Sequence, residues 1–449
     1  MRFEELIARN LAAAWLAGPW TEAGLFERGQ EVIGKAGRRR FLQLVRAAIQ
    51  AAPSDYPPSP GWITAFLRER DGLPDYTERF LNSRRSISLA LEPAHFSSSL
   101  SLAPLDVPRL ETPHDLAVWI GVPIEHLDWL ADSRRQAYST DIPMLQNYRY
   151  AFVPKRTGPP RLLECPKPLL MAAQRKILSG ILDKIRAHDA AHGFVAGRSC
   201  LSGASRHAGE DIVIALDLKD FFLTTPVRRV HGIFRALGYP WAVARLLTGL
   251  CTSAVPLSVF RRLPPAERHD WKTRQLFNSR HLPQGAPTSP ALANLAAYRL
   301  DVRLTGLARS LDATYTRYAD DLAVSGSLTD RNAQKILATV RSIAREEGYE
   351  VHPSKQRVMR SDARQCITGV VVNRHVNVPR EDFDRLKATL HNAARHGPRS
   401  QNRDGHADFR AHLDGRVTWV ENVNPNRGAK LRRLFDAIVW KEGSGDAIG

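Results

Sequence analysis

Tyr315-Thr316-Arg317-Tyr318-Ala319-Asp320-Asp321-Leu322-Ala323-Val324-Ser325 is the stretch on which the reading of the chain turns. Two short extended segments flank a polar centre, which predicts a hairpin with adjacent carboxylates at its tip. Like charges side by side repel, so the pair needs a cation. Farther upstream, Ile212-Val213-Ile214-Ala215-Leu216 is continuous and β-branched, as expected of a strand buried on both faces, and it ends at Asp217. A carboxylate left unpaired beside such a strand costs roughly several kcal/mol. Asp217 brought beside the Asp pair would form an all-oxygen site for hard divalent ions such as Mg²⁺. Two such ions ~3.5–4 Å apart support in-line phosphoryl transfer, the chemistry of polymerases and nucleases. The plainer alternative is an Asp-Asp pair in a solvated turn.

Outward from these acids, the composition limits the possibilities. The 449 residues suit two or three domains at roughly 100–200 residues each. The hydrophobic fraction of 43% and charged fraction of 24% are those of a globular chain rather than a disordered one. Lys and Arg number 64 against 46 Asp and Glu, and the net charge of +18 points to a polyanion, with nucleic acid the leading candidate. The cysteines Cys165, Cys200, Cys251 and Cys366 form no Cys-x-x-Cys pair, which argues against a zinc knuckle or a disulfide framework and fits a reducing cytoplasm. The start, Met1-Arg2-Phe3-Glu4-Glu5, and the lack of an apolar run near ~18 residues suggest neither secretion nor membrane insertion.

The first 140 residues read as helical, with Phe41, Leu44, Val45 and Ala48 on one face and a Pro-rich break from Pro53 to Pro60. Thr112-Pro113 reads as an N-cap with Pro at the first helical position. Leu116, Ile120, Ile124, Leu127 and Leu130 then line two short helices broken at Gly121–Pro123. This helix-turn-helix-like part, residues 112–131, fits either a DNA reader or a packed pair that shapes the next domain. A hairpin is expected around Thr157-Gly158-Pro159-Pro160, and the tail after Pro379 reads as basic and helical.

Phe152-Val153-Pro154-Lys155 with Arg161, Leu216-Asp217-Leu218-Lys219-Asp220-Phe221-Phe222, Leu282-Pro283-Gln284-Gly285-Ala286-Pro287-Thr288-Ser289-Pro290 and Tyr318-Ala319-Asp320-Asp321 resemble, in order and spacing, the successive blocks of a reverse transcriptase. His352-Pro353-Ser354-Lys355 and Ile367-Thr368-Gly369-Val370-Val371-Val372-Asn373 continue the series. The group most resembled is that of bacterial retron reverse transcriptases, in particular the myxobacterial kind with an N-terminal extension. His192-Gly193-Phe194-Val195-Ala196-Gly197-Arg198-Ser199 is similar to a further block of that group. The group's Asn-Ala-x-x-His element stands here as Gly203-Ala204-Ser205-Arg206-His207, and its Val-Thr-Gly element as Ile367-Thr368-Gly369.

The resemblance implies an α+β, right-hand polymerase fold: a helical extension over 1–140, fingers and palm over 141–375, and a basic helical thumb over 376–449. It implies two Mg²⁺ ions on Asp217, Asp320, Asp321 and the main-chain oxygen of Leu218. Phe222 would lie under the sugar and exclude a 2′-OH. Lys155, Arg161, Gln284, Gly285 and Lys355 would contact the nucleotide, and Tyr318 would lie near the primer end. His207 and Ile367, Thr368 and Gly369 would serve RNA recognition. The implied partners are dNTPs, a structured non-coding RNA, its DNA product and an effector protein in antiphage defence, with no membrane. Gly203 in place of Asn keeps open a bacterial defence reverse transcriptase outside the retrons. A group II intron enzyme fits less well, since the stretch after Asn373 is short for a thumb plus a maturase or endonuclease domain. A non-catalytic RNA-binding relative has no need of three acids in a basic groove.

Overall fold

The computed structural model describes residues 3–16, 20–33, 38–52, 58, 60–69, 106–132, 136, 140, 142–154, 160–263 and 271–440. It divides into two compact units, Met1–Arg186 with Phe222–Ala296, and Ala187–Phe221 with Ala297–Gly449.

The first unit opens with the helices Phe3–Leu16, Glu22–Ile33, Arg38–Ala51 and Pro60–Glu69. Phe41, Leu44, Val45 and Ala48 form the buried face of the third, as their spacing predicts. They share a core with Leu11, Trp15, Leu25, Ile63, Leu67 and Trp241, the last from the helix Trp241–Cys251. Thr112 caps the helix Pro113–Ile120 in a reciprocal capping box with Asp115, and Gly121 ends it at φ +89°, which favours glycine. Leu116, Leu127 and Leu130 are buried, and this helix and its successor, Ile124–Leu130, both pack on the helix Trp241–Cys251. Strands β1 (Tyr148–Val153) and β2 (Arg161–Pro166) pair antiparallel with Val153 opposite Arg161. Lys155 lies outside the described residues.

The second unit is built on an antiparallel four-stranded sheet of β3 (Ile212–Asp217), β4 (Thr314–Tyr318), β5 (Asp321–Gly326) and β6 (Arg357–Arg360), in the order β4-β5-β3-β6. Val213 and Ile214 are completely buried, matching the continuous apolar run. The helix Asp330–Glu346, capped by Thr329, turns Ala333, Ile336, Leu337 and Val340 inward. Beyond the short strands β7 (Cys366–Ile367) and β8 (Val370–Val371) come the helices Arg380–His396, Phe409–Val423 and Pro425–Asp436. Their Leu386, Leu390, Leu413, Val417 and Leu431 join Val213 and Met359 in one core cluster. Among the described residues, no helix is long and apolar enough to cross a membrane.

His207 locks the sheet from within. It is fully buried, and its ring nitrogens lie 2.7 Å from Ser325 Oγ on β5 and 2.7 Å from Thr316 Oγ1 on β4. Burial, helped by His192 and Arg206, pushes its pKa down to about 4. Above the ordinary histidine pKa both folded and unfolded forms are neutral, so its contribution to stability is intact. As pH falls toward about 4 the unfolded chain takes a proton that the fold refuses, and stability is lost. The expected loss is on the order of 3 kcal/mol. Denaturant unfolding at pH 7 and pH 4.5 should show a smaller drop in His207→Gln than in wild type. Equal drops would contradict this account of His207.

Candidate active site

The register of β3 against β5 sets Asp217 directly opposite Asp321, at the end of both strands. The turn that joins β4 to β5 carries Ala319 at φ +55° and Asp320, whose carbonyl accepts a 2.8 Å hydrogen bond from Leu218 N. The backbone therefore ties the two acid-bearing segments together just beyond the strand pairing. Lys355 Nζ donates to Asp217 Oδ2 at 2.8 Å, and His352 N donates to the carbonyl of Asp217 at 2.7 Å. Burial first, and then the Asp320 and Asp217 carboxylates, raise the Asp321 pKa to about 6, while Lys355 and Arg357 pull the other way. The hydrogen bond to Asp217 raises the pKa of the Lys355 ammonium.

Beneath this turn lies a network that sequence reasoning missed. Arg317 and Asp301 are both completely buried, and they meet through Nε–Oδ1 at 2.8 Å and Nη2–Oδ2 at 2.6 Å. Tyr315 donates its hydroxyl to the same carboxylate at 2.9 Å. Arg317 Nη1 also donates to the carbonyl of Ala319 at 3.1 Å, so the bidentate pair reaches the backbone of the Asp320 turn. An arginine in a strand ordinarily reads as exposed, and nothing in the spacing marks its carboxylate partner.

A cleft of about 490 Å³ opens beside the acids, lined by Leu216, Tyr318, Asp321, Arg357, Thr368 and Gly369 among others. Thr368 at φ +48° and Gly369 at φ +82° form the two-residue turn between β7 and β8. Ile367 reaches the cleft wall but is 5% exposed and belongs to the core cluster. Of the residues expected to serve RNA recognition, Thr368 and Gly369 thus stand at the cleft, whereas the His207 and Ile367 side chains are taken up by packing. Both side chains are buried, so any part these two residues take in RNA recognition runs through the backbone or through the packing they support. Gly203, which stands where the related element has Asn, lies against His192, where a Cβ would come within 3.3 Å of that side chain.

The remaining expected residues lie in the first unit. Gln284 accepts from Glu164 N at 2.8 Å, which fastens the loop to β2, the strand that carries exposed Arg161. Leu282 N donates to the carbonyl of half-buried Phe222 at 3.3 Å. Gly285 sits at φ +129° where a Cβ would lie 3.0 Å from the Glu164 carbonyl oxygen, so a larger residue would be strained on both counts. Buried His281 meets buried Glu164 at 2.8 Å. Burial alone would lower the His281 pKa, but the Glu164 carboxylate outweighs it and raises it.

Among the described residues, no group of three or more His, Cys, Asp or Glu side chains is preassembled around a metal position. The donor set nevertheless fits hard divalent ions. It offers carboxylates only, two of them in direct register, and burial first, then the neighbouring carboxylates, keep the Asp321 pKa raised against the pull of Lys355 and Arg357.

The chain belongs to the reverse transcriptases, RNA-dependent DNA polymerases, whose family model matches residues 153–382. Its α+β fold is accordingly that of a right-hand polymerase with helices in the N-terminal region. Within the family it is of the retron type. The Retron Mx65 reverse transcriptase of Myxococcus xanthus is 37% identical over 396 residues, covering 84% of this chain and 87% of that protein. The Retron Mx162 reverse transcriptase of the same organism is 37% identical over 338 residues, 71% of this chain and 65% of that protein. The Retron Ec86 reverse transcriptase of Escherichia coli is 29% identical over 305 residues, 67% of this chain and 84% of that protein. A solved foamy viral protease-reverse transcriptase in complex with double-stranded DNA aligns at a TM-score of 0.37 and 14% identity, covering 91% of this chain and 54% of that one.

Asp301→Ala would leave Arg317 buried without its carboxylate. Chemical denaturation should show a loss of about 3–5 kcal/mol, the cost of breaking a buried pair by removing one partner. A loss below about 1 kcal/mol, the scale of an exposed pair, would contradict the reading of this network.

Proposed function

We propose that this RNA-directed DNA polymerase copies part of a cognate structured non-coding RNA into single-stranded DNA that stays linked to the RNA, starting from a 2′-OH within that RNA. The observation that carries the reading is the direct pairing of Asp217 with Asp321 at the strand ends, with Asp320 adjacent. In this reading Asp217, Asp320, Asp321 and the main-chain oxygen of Leu218 hold two Mg²⁺ ions. When bound, the ions lower the pKa of the attacking hydroxyl and neutralise the departing pyrophosphate. Lys355, whose ammonium lies 2.8 Å from Asp217 Oδ2, balances that carboxylate and gives charge to the leaving group. Arg161, Lys155, Gln284 and Gly285 receive the incoming dNTP, with Arg161 and Lys155 on its phosphates. The Phe222 ring excludes a 2′-OH.

Domain roles follow the same proposal. Residues 141–375 act as fingers and palm, residues 376–449 as a thumb on the duplex, and residues 1–140 as an extension that shapes the fingers or meets a partner. Thr368 and Gly369 contribute to RNA recognition at the cleft. The protein works in the cytoplasm with its RNA, its DNA product and an effector protein in antiphage defence. The strong positive charge supports a nucleic-acid partner, and the retron relatives support the kind of product.

The test is to express the chain with its native flanking DNA, extract nucleic acid from the purified protein, and digest portions with RNase or DNase. A discrete DNA species that shortens after RNase and is missing from Asp320→Asn/Asp321→Asn is the expected result. That double variant should still bind the RNA; unchanged DNA synthesis in it would remove the metal-site assignment. Phe222→Ala should raise ribonucleotide incorporation by at least roughly tenfold, about 1.4 kcal/mol of lost discrimination. Equal dNTP/NTP selection in both proteins would remove the gate role.

A further inference from the structure

Phe194 adopts a backbone that phenylalanine rarely takes. Its φ is +59°, a left-handed conformation that disfavours residues with a Cβ. Its side chain is nevertheless 49% exposed, so burial offsets little of that strain. The surroundings hold the turn in place. Arg317 N donates to the carbonyl of Ala190 and His192 N to the carbonyl of Arg317, each at 2.7 Å, which aligns the segment along β4. Gly193 permits the approach, since a Cβ there would lie 2.6 Å from Ala319 N. The Arg198 guanidinium gathers the carbonyls of His188, Asp189 and Ala191 at 2.9, 3.0 and 2.7 Å. This loop presents the Phe194 ring beside Tyr318, with centroids 6.3 Å apart and planes 34° apart. Tyr318 pairs with Asp321 across β4 and β5 and shares a cleft with Asp321 and Arg357.

Tyr318 stands in the cleft with the Asp321 carboxylate and the Arg357 guanidinium, and the half-exposed Phe194 ring extends its aromatic surface; together they match a ligand with a flat π face, a hydroxyl and a phosphate, which is a nucleotide. Base–aromatic stacking suits this position because every base has a π face and copying must tolerate any sequence. We propose that Phe194, together with Tyr318, stacks on the base of the nucleotide that carries the attacking hydroxyl. The inference rests on the reading of Asp217, Asp320 and Asp321 as the polymerase centre. It makes Phe194 a stacking residue that seats the primer end and leaves the selection of dNTPs to other groups.

The experiment uses the full chain and a primer–template with 2-aminopurine as the last primer base, whose fluorescence reports stacking. Phe194→Gly suits the positive φ, so its melting temperature should be no lower than that of wild type. Relative to wild type, Phe194→Gly should lose the fluorescence change, bind the primer–template roughly tenfold more weakly and raise the primer KM, with the dNTP KM little changed. Phe194→Trp should retain the wild-type signal. Identical fluorescence and affinity in wild type and Phe194→Gly would overturn the proposal. A signal that depends on Phe194 only when 2-aminopurine is placed in the template would overturn the assignment to the primer end. Failure of wild type to extend any primer would instead overturn the polymerase-centre reading, while the fluorescence comparison still decides whether Phe194 stacks.

Discussion

Two carboxylates facing each other across β3 and β5 are the constraint around which the second unit is organised. Like charges directly opposite in a sheet destabilise it, and burial of Asp321 adds to the cost by penalising the charged form. The fold accommodates the pair instead of separating it. Lys355 supplies a positive charge at 2.8 Å from Asp217, and Leu218 N fixes the carbonyl of Asp320 at 2.8 Å. A protein that only needed a stable sheet would place apolar residues at these strand ends. Keeping the acids close is what the proposed metal-binding role requires.

The Arg317–Asp301 pair explains how the turn keeps its shape under that repulsion. Both groups are completely buried, so their attraction is only weakly screened and each depends on the other. Surface pairs such as Arg360–Asp330, with more than half of each side chain exposed, are worth about 0–1 kcal/mol and do not set the architecture. The buried pair reaches the Ala319 carbonyl on one side, and through the Arg317 backbone it aligns the loop that carries Phe194 on the other. His207 adds a neutral lock between β4 and β5. Beside the polar centre, the turn of Thr368 and Gly369 brings a second chain segment to the cleft that Asp321 lines.

The elements whose signals are local were legible in the sequence. The apolar run ending at Asp217 gave a buried strand, the Asp pair gave a hairpin end, and Thr112-Pro113 gave a capped helix. Features that depend on long-range partners were not. Arg317 finds Asp301 through the fold, and no periodicity marks a buried ion pair. His207 was marked only by its resemblance to a recognition element, and nothing in the sequence told that its ring bridges two strands inside the sheet. Ile367 likewise reads as part of a recognition element while its side chain fills the core. The strain at Phe194 is a property of φ, which side-chain identity does not report.

Divalent-metal binding by the acids is the claim that supports the rest, and Mn²⁺ uptake measured by electron paramagnetic resonance tests it without relying on catalysis. Wild type with primer–template and dNTP should remove more of the free Mn²⁺ signal than the same primer–template and dNTP without protein. Asp217→Asn and Asp321→Asn, each folded by circular dichroism, should lose most of that excess uptake. Equal uptake by wild type and both variants would show that the paired carboxylates are not the metal ligands, and would contradict the account.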